Sequence, residues 1–194
     1  MSARGAYRKG IEKREQILSI ALDVVAREGY RGTTVRDLAD AVGLSQTGLL
    51  HYFDSKDELL TEVLRRRDAR DVEHERDLTV PALLMAVLRH NATVPGLVTL
   101  YAQLSVEAAD ADHPAHGYFC ERFDQLRVRI ADVIRNGQRD GSISATLDPD
   151  KAATIAVALA DGLQIQWLYD RDLDMAAHVE HLWETVLETA ERAT

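Results

Sequence analysis

Apolar residues along this chain recur at helical rather than alternating spacing. Ile17, Ala21, Val24 and Val25 mark one face of a first helix, predicted over residues 11–28, and Glu28-Gly29-Tyr30 supplies its stop. Val35, Leu38, Ala39 and Val42 fall at i, i+3, i+4 and i+7, the buried stripe of a second helix over 34–42 that ends at Gly43. Thr34 is its cap, because its hydroxyl can accept a first-turn amide, and Asp37 stands where the reciprocal carboxylate of a capping box belongs. Ser45 caps a third helix over 45–52, with Leu49 and Phe53 as an i, i+4 apolar pair and Asp54 as its end. Ser55-Lys56-Asp57-Glu58 is a full capping box for a fourth, which buries Leu59, Leu60, Val63 and Leu64. The charged stretch 65–76 reads as its solvated or domain-bridging continuation. Further helices are predicted over 81–93, 96–111, 114–140, 148–169 and 175–193, the penultimate one announced by an Asp148 cap and a first-turn Pro149.

The alternating β-branched runs that strands require do not occur, so the fold class is all-α. With 194 residues, 46% hydrophobic and 28% charged, the chain matches a globular protein of one sizeable domain or a small domain joined to a medium one. The single cysteine, Cys120, excludes an internal disulfide, and no apolar run approaches the roughly 18 residues of a membrane span. The expectation is a soluble cytoplasmic protein without a signal peptide.

A net charge of −9 argues against nucleic acid until it is divided along the chain. Residues 1–56 carry nine Lys and Arg against seven Asp and Glu, whereas 57–194 carry fourteen against twenty-five. Arg4, Arg8, Lys9, Lys13 and Arg14 stand against Glu12 alone in the first fourteen positions. A basic arm ahead of an acidic body can orient a protein on a polyanion; it can equally be a solvated tail.

Two short helices joined by a tight turn have the geometry of a helix-turn-helix. Packing of Val35, Leu38, Ala39 and Val42 against Leu49 leaves Ser45, Gln46, Thr47, Gly48 and His51 facing outward, free to meet base edges in a major groove. Gln46 can pair bidentately with adenine, and Thr47 offers a methyl for thymine or a hydroxyl for an acceptor. The helix starts at Thr34 and Ser55 present amides to phosphates, and Lys56 adds a charge beside the second.

The run GYRGTTVRDLADAVGLSQTGLLHYFDSKDELLTEVL, residues 29–64, closely resembles the DNA-binding domain of the TetR family of bacterial transcriptional regulators. The resemblance implies a helix-turn-helix domain over 1–56 with a basic arm, a larger effector-binding and dimerisation domain over 57–194, and a homodimer on a double-stranded operator. Thr34 and Lys56 match phosphate-contacting positions. Arg36, Gln46, Thr47 and Gly48 match positions near bases or backbone, and Tyr52 matches a further backbone contact. Leu50 departs from the family, standing where a phosphate-touching tyrosine is usual.

Beyond residue 65 the resemblance weakens, although DGLQIQWLYD at 161–170 looks like the penultimate helix of some members. Ile155, Leu159 and Leu163, with Leu182, Val186 and Ala190, give the last two helices apolar faces suited to a dimer seam. Tyr101, Tyr118 and Trp167, together with Gln103, Glu107, Asp161 and Gln164, are the candidate lining of an effector site. The acidic body and its aromatic rings lean towards a neutral or cationic lipophilic ligand. Phe119 and Phe123 are further aromatics of this region.

His113 and His116, and His178 and His181, lie at i, i+3 spacing, yet no cysteine cluster or dense ligand set accompanies them, so no metal or cofactor is expected. Cys120 reads as a buried packing residue. No nucleophile elbow, phosphate loop or dinucleotide fingerprint is present, and no catalytic residue is assigned. The competing reading is a helical ligand-binding or interaction protein that does not use its hairpin on DNA.

Overall fold

The computed structural model describes residues 3–74 and 80–187. They form α1 (Ala3–Gly32), α2 (Val35–Ala41), α3 (Gln46–Leu49), α4 (Lys56–His74), α5 (Val80–Thr93), α6 (Pro95–Glu107), α7 (His116–Asp140), α8 (Pro149–Tyr169) and α9 (Met175–Leu187). No strand occurs among the described residues, and none of their helices is long and apolar enough to cross a membrane.

The chain divides into two compact units, residues 1–74 with 94–118, and residues 75–93 with 119–194. In the first, α1 packs on α2, α4 and α6, and α2 packs on α3. Its core joins Ile17, Ala21 and Val25 of α1 to Leu38 of α2, Leu49 of α3, Phe53, and Leu60 and Leu64 of α4. The division at residue 56 suggested by the sequence therefore falls inside a compact unit, because the apolar face of α4 is part of the core that supports the hairpin. In the second unit α5 and α8 pack on α9, and Ile130, Ala131 and Ile134 of α7 meet Ala153 and Val157 of α8.

Local signals account for most boundaries. Gly29 has φ 69° and ψ −177°, a conformation that breaks α1 where the glycine stop was expected. The helix begins earlier than residue 11, at Ala3, with an Arg8–Glu12 pair at 3.3 Å along its exposed side. Asp148 accepts from the amides of Asp150 and Lys151, both at 3.1 Å, as the first-turn proline signal required. Bonds to the Lys151 amide lead the effects that hold its carboxyl below the usual carboxylate range.

Two expectations are corrected. The 65–76 stretch is solvated only in part at its start: Arg65 is exposed, but Arg67 is buried, its guanidinium bound to Asp68 at 2.9 Å and set over the Tyr101 ring at 5.5 Å. A charge is tolerated there because it is paired and lies against an aromatic face. Cys120 is exposed rather than buried, because Tyr118 and Phe119, two and one residues before it, take the inward face of α7 and the next step of about 100° carries Cys120 to the outside.

Candidate DNA interface

The hairpin is held from below and closed by its own polar groups. Thr34 Oγ1 accepts from the Asp37 amide at 3.1 Å while an Asp37 carboxylate oxygen accepts from the Thr34 amide at 2.9 Å. The Thr34 hydroxyl donates to the same carboxylate at 2.5 Å. These bonds, the hydroxyl first, hold the Asp37 carboxyl below its ordinary pKa. Thr34 is thus committed to the start of α2. Gly43, at φ 69°, makes the turn, and the Leu44 amide reaches back to the Ala39 carbonyl at 2.9 Å.

Ser45 Oγ accepts from the Gly48 amide at 3.0 Å and opens α3. The helical bonds continue through Leu50 and His51 to their partners four residues back, and tighten at Tyr52, which bonds to Leu49. The predicted 45–52 element is therefore four residues of α-helix with a tightened last turn. Ser45, Gln46, Thr47 and His51 are exposed, as is Arg36 of α2, which lies 4.0 Å from Asp40. Gly48 is half-buried beside the Ser45 hydroxyl, and Tyr52 is half-buried with its ring edge-on to His51 at 5.8 Å. Leu50 is 42% exposed, so an apolar side chain stands at the position of the family tyrosine.

Lys56, at the start of α4, is not a loose surface charge. Its Nζ donates to the Tyr30 carbonyl at 3.2 Å and lies 4.6 Å over the Tyr30 ring. The Tyr30 hydroxyl donates in turn to Glu107 of α6 at 2.8 Å. Burial first, and then Glu107 and Asp57, push the Tyr30 pKa far above its ordinary value, so the hydroxyl remains a donor. Sequence pattern did not single out Tyr30, since its partners lie 26 and 77 positions away. Ser55 Oγ accepts from the Glu58 amide at 3.0 Å as the capping box required, but the Glu58 carboxylate reaches the Asp54 amide, one residue earlier than expected. In the basic arm, Arg14 is bound by Glu58 and Glu62 of α4 at 3.5 and 3.7 Å and stacks over Phe53, which withdraws it from any role as a mobile cation.

Among known proteins, a model described as bacterial regulatory proteins of the tetR family matches residues 17–63, and one described as the C-terminal region of BetI-type transcriptional repressors matches 82–190. The chain belongs to the TetR family of transcriptional regulators. The family regulator KstR2 of Rhodococcus jostii strain RHA1, a transcriptional repressor, is 33% identical over 156 residues, covering 72% of each chain. A solved transcriptional regulator from Saccharomonospora viridis, in complex with choline, is 28% identical with a TM-score of 0.73 over 91% of this chain and 97% of that one. KstR2 of Mycobacterium tuberculosis, described as a ketosteroid transcriptional regulator, is 26% identical with a TM-score of 0.61 over 91% and 93%. The helix-turn-helix of this TetR-family chain is accordingly a DNA-binding element.

The seven candidate effector residues of this TetR-family chain separate into two groups. In the first unit, Tyr101 and Tyr118 are buried, and the Tyr118 hydroxyl donates to Asp68 at 2.6 Å while Arg65 lies over its ring at 5.1 Å. Gln103 is half-buried with an Oε1 that has no partner among the described residues, whereas Glu107 is exposed and taken by Tyr30. In the second, Gln164 is buried and accepts from Asn91 at 2.9 Å, its own amide nitrogen lying 3.5 Å from Asp161. Trp167 is buried with the Arg171 guanidinium 3.9 Å over its ring. Among the described residues, Asn91 Oδ1 and Arg67 Nη1 are buried without a partner, polar groups that no sequence pattern singles out. No spacing signal could have found them, because their burial is set by tertiary packing.

Of the seam candidates, Ile155 is 60% exposed, Leu159 and Leu182 are half-buried, and Leu163 is buried within its own chain. Val186 falls in α9 with its side chain outside what is described, and Ala190 lies outside the described residues. Leu163 is corrected from seam to core for a helical reason. Steps of four residues drift about 40° each around a helix, so 155, 159 and 163 walk from the outer to the inner face. The straight exposed line on α8 is Ile155, Ala158, Ile165 and Tyr169, the last 90% exposed, with the half-buried Gly162 between them.

Three of the four paired histidines have partners of their own. His113 Nε2 lies 3.8 Å from Asp57, His116 Nδ1 meets the Ala108 carbonyl at 2.8 Å and His178 Nδ1 the Asp174 carbonyl at 2.7 Å. Among the described residues no group of three or more His, Cys, Asp or Glu is placed to hold a metal ion.

Proposed function

We propose that the chain is an effector-responsive repressor that binds a pseudo-palindromic operator as a homodimer in the cytoplasm. Residues 1–56 read one half-site, and 57–194 bind the effector and pair the copies. The observation that carries this reading is the exposure of Ser45, Gln46, Thr47 and His51 on a short helix whose other face, Leu49, is buried in the core. Gln46 and Thr47 are the base-reading residues. Arg36, Gly48, Tyr52 and Lys56 lie along the phosphate backbone, with Thr34 contributing the start of α2 more than its committed hydroxyl. One short helix reads too few bases for a specific site, and a two-fold partner doubles them. The exposed line of α8, with Leu182 of α9, is the seam. The chain's work is regulation, with no catalytic residue assigned.

For the effector, the choline complex of the Saccharomonospora regulator and the ketosteroid description of KstR2 point to a cationic and a neutral ligand respectively. Features of this chain favour the neutral one within the range expected from its sequence. In the first unit the Tyr101 and Tyr118 rings each face an arginine of the same chain, and the buried Arg67 Nη1 calls for a hydrogen-bond acceptor. A lipophilic molecule with a carbonyl or hydroxyl fits both. A thermal-shift screen whose hits are dominated by amines would reverse that preference.

Fluorescence anisotropy against a duplex from the region upstream of the protein's own coding sequence tests the proposal. Sequence discrimination with a steep loss of affinity on added salt is expected. Absence of specific binding at low salt would favour a helical binding protein that leaves its hairpin unused, the reading to which Leu50 lends support.

A further inference from the structure

We infer that Tyr30 is a positioning residue for DNA binding: its ring and carbonyl seat the Lys56 ammonium, and its hydroxyl, held by Glu107, fixes the ring that forms the seat. The inference rests on the reading of Lys56 as a phosphate contact. A lysine on a four-carbon stem ordinarily loses rotamer freedom when it meets a phosphate, which weakens the contact. Lys56 has surrendered that freedom already, because one N–H donates to the Tyr30 carbonyl at 3.2 Å and its charge rests 4.6 Å over the ring. The remaining N–H groups stay available for a phosphate oxygen.

The seat is built by the break in α1. Gly29, at φ 69°, turns the chain so that the Tyr30 carbonyl and ring face the first residue of α4. The hydroxyl reaches the last residue of α6, where Glu107 accepts at 2.8 Å. All four residues belong to the first compact unit, so the chain from Glu107 through Tyr30 to Lys56 lies within one body. An alternative role for the Lys56–Tyr30 bond is simple capping of the last carbonyls of α1, and that role predicts a different experiment.

The test measures affinity of the full chain for a 30-base-pair duplex of random sequence by anisotropy across a potassium chloride series, with thermal melting of every variant. Lys56→Ala is expected to lower the salt slope by about one. Tyr30→Leu is expected to weaken binding about fivefold and Tyr30→Phe about twofold, and both losses should vanish when introduced alongside Lys56→Ala, as required of a residue acting only through another. Glu107→Ala should match Tyr30→Phe, and Glu107→Gln, which keeps an acceptor, should restore binding. Equal losses with and without Lys56, or no loss from either Tyr30 variant or from Glu107→Ala, overturn the inference. Should Tyr30→Leu fail to fold, the Tyr30→Phe and Glu107 pairs decide the matter alone. Wild-type protein that fails to bind the duplex at low salt overturns the phosphate role of Lys56 and this inference together.

Discussion

Gly96 of α6 lies directly against the Val25 carbonyl of α1: a β-carbon on Gly96 would sit 2.1 Å from that oxygen and 2.5 Å from the carbonyl oxygen of Ala26. The two helices cross backbone to backbone, and no side chain can be moved aside to make room. Gly96→Ala should destabilise the protein by about 3 kcal/mol, the upper range for overpacking. Gly117→Ala is the control, since nothing lies within 4 Å of its added carbon, and it should stabilise α7 by up to about 1 kcal/mol if anything. Urea unfolding of both variants checks this; similar midpoints would show that α6 does not hold α1 this tightly.

Loss of the Thr34 cap should shorten α2 from its start. Thr34→Ala is expected to cost about 1 kcal/mol in urea unfolding at neutral pH, and Thr34→Ser, which keeps the hydroxyl, much less. The effect should depend on pH with a definite sign. Asp37 has its folded-state pKa lowered, chiefly by the Thr34 hydroxyl, so its contribution is present above the unfolded carboxylate value and is lost as the pH falls through the folded one. The gap between wild type and Thr34→Ala should therefore narrow in acid. A gap that widens below pH 4 would contradict the hydrogen-bond assignment.

Caps such as Thr34, Ser45 and Asp148 were legible in the sequence because each is a contact within three residues, and the hairpin's outward residues followed from the phase of one short apolar stripe. Tertiary relationships were not legible. Arg67 belongs to a charged run, and its burial depends on Tyr101 lying across from it. Tyr30 looked like part of a helix stop, and its role follows from a glycine break that sets it between α4 and α6. Steps of four along α8 carry the stripe from Ile155 to Leu163 into the core, while alternating steps of three and four stay on the exposed face.

Exposed apolar side chains on α8 predict where copies of the chain meet. Ile155→Glu and Ile165→Glu would each place a carboxylate in an apolar seam, so sedimentation velocity should find monomers that retain full helical circular dichroism. Leu163→Glu, by contrast, should unfold the chain, since that side chain is only 4% exposed. Variants at 155 and 165 that remain dimeric would move the interface away from α8.

Base preference should reside at the start of α3. Gln46→Ala and Thr47→Ala are expected to change which bases are favoured in competition against single-base operator variants, at roughly 1 to 3 kcal/mol per lost contact. Equal weakening on every variant would assign these residues to the backbone instead.

Selection of bound duplexes from a random-sequence library by the wild-type protein tests the central claim most directly. A dimer reading two half-sites through α3 predicts that one inverted repeat is enriched, and that binding to it falls steeply with salt while exceeding binding to random duplex by at least about a thousandfold. A selected pool without two-fold symmetry, or with no enriched sequence at all, would contradict it.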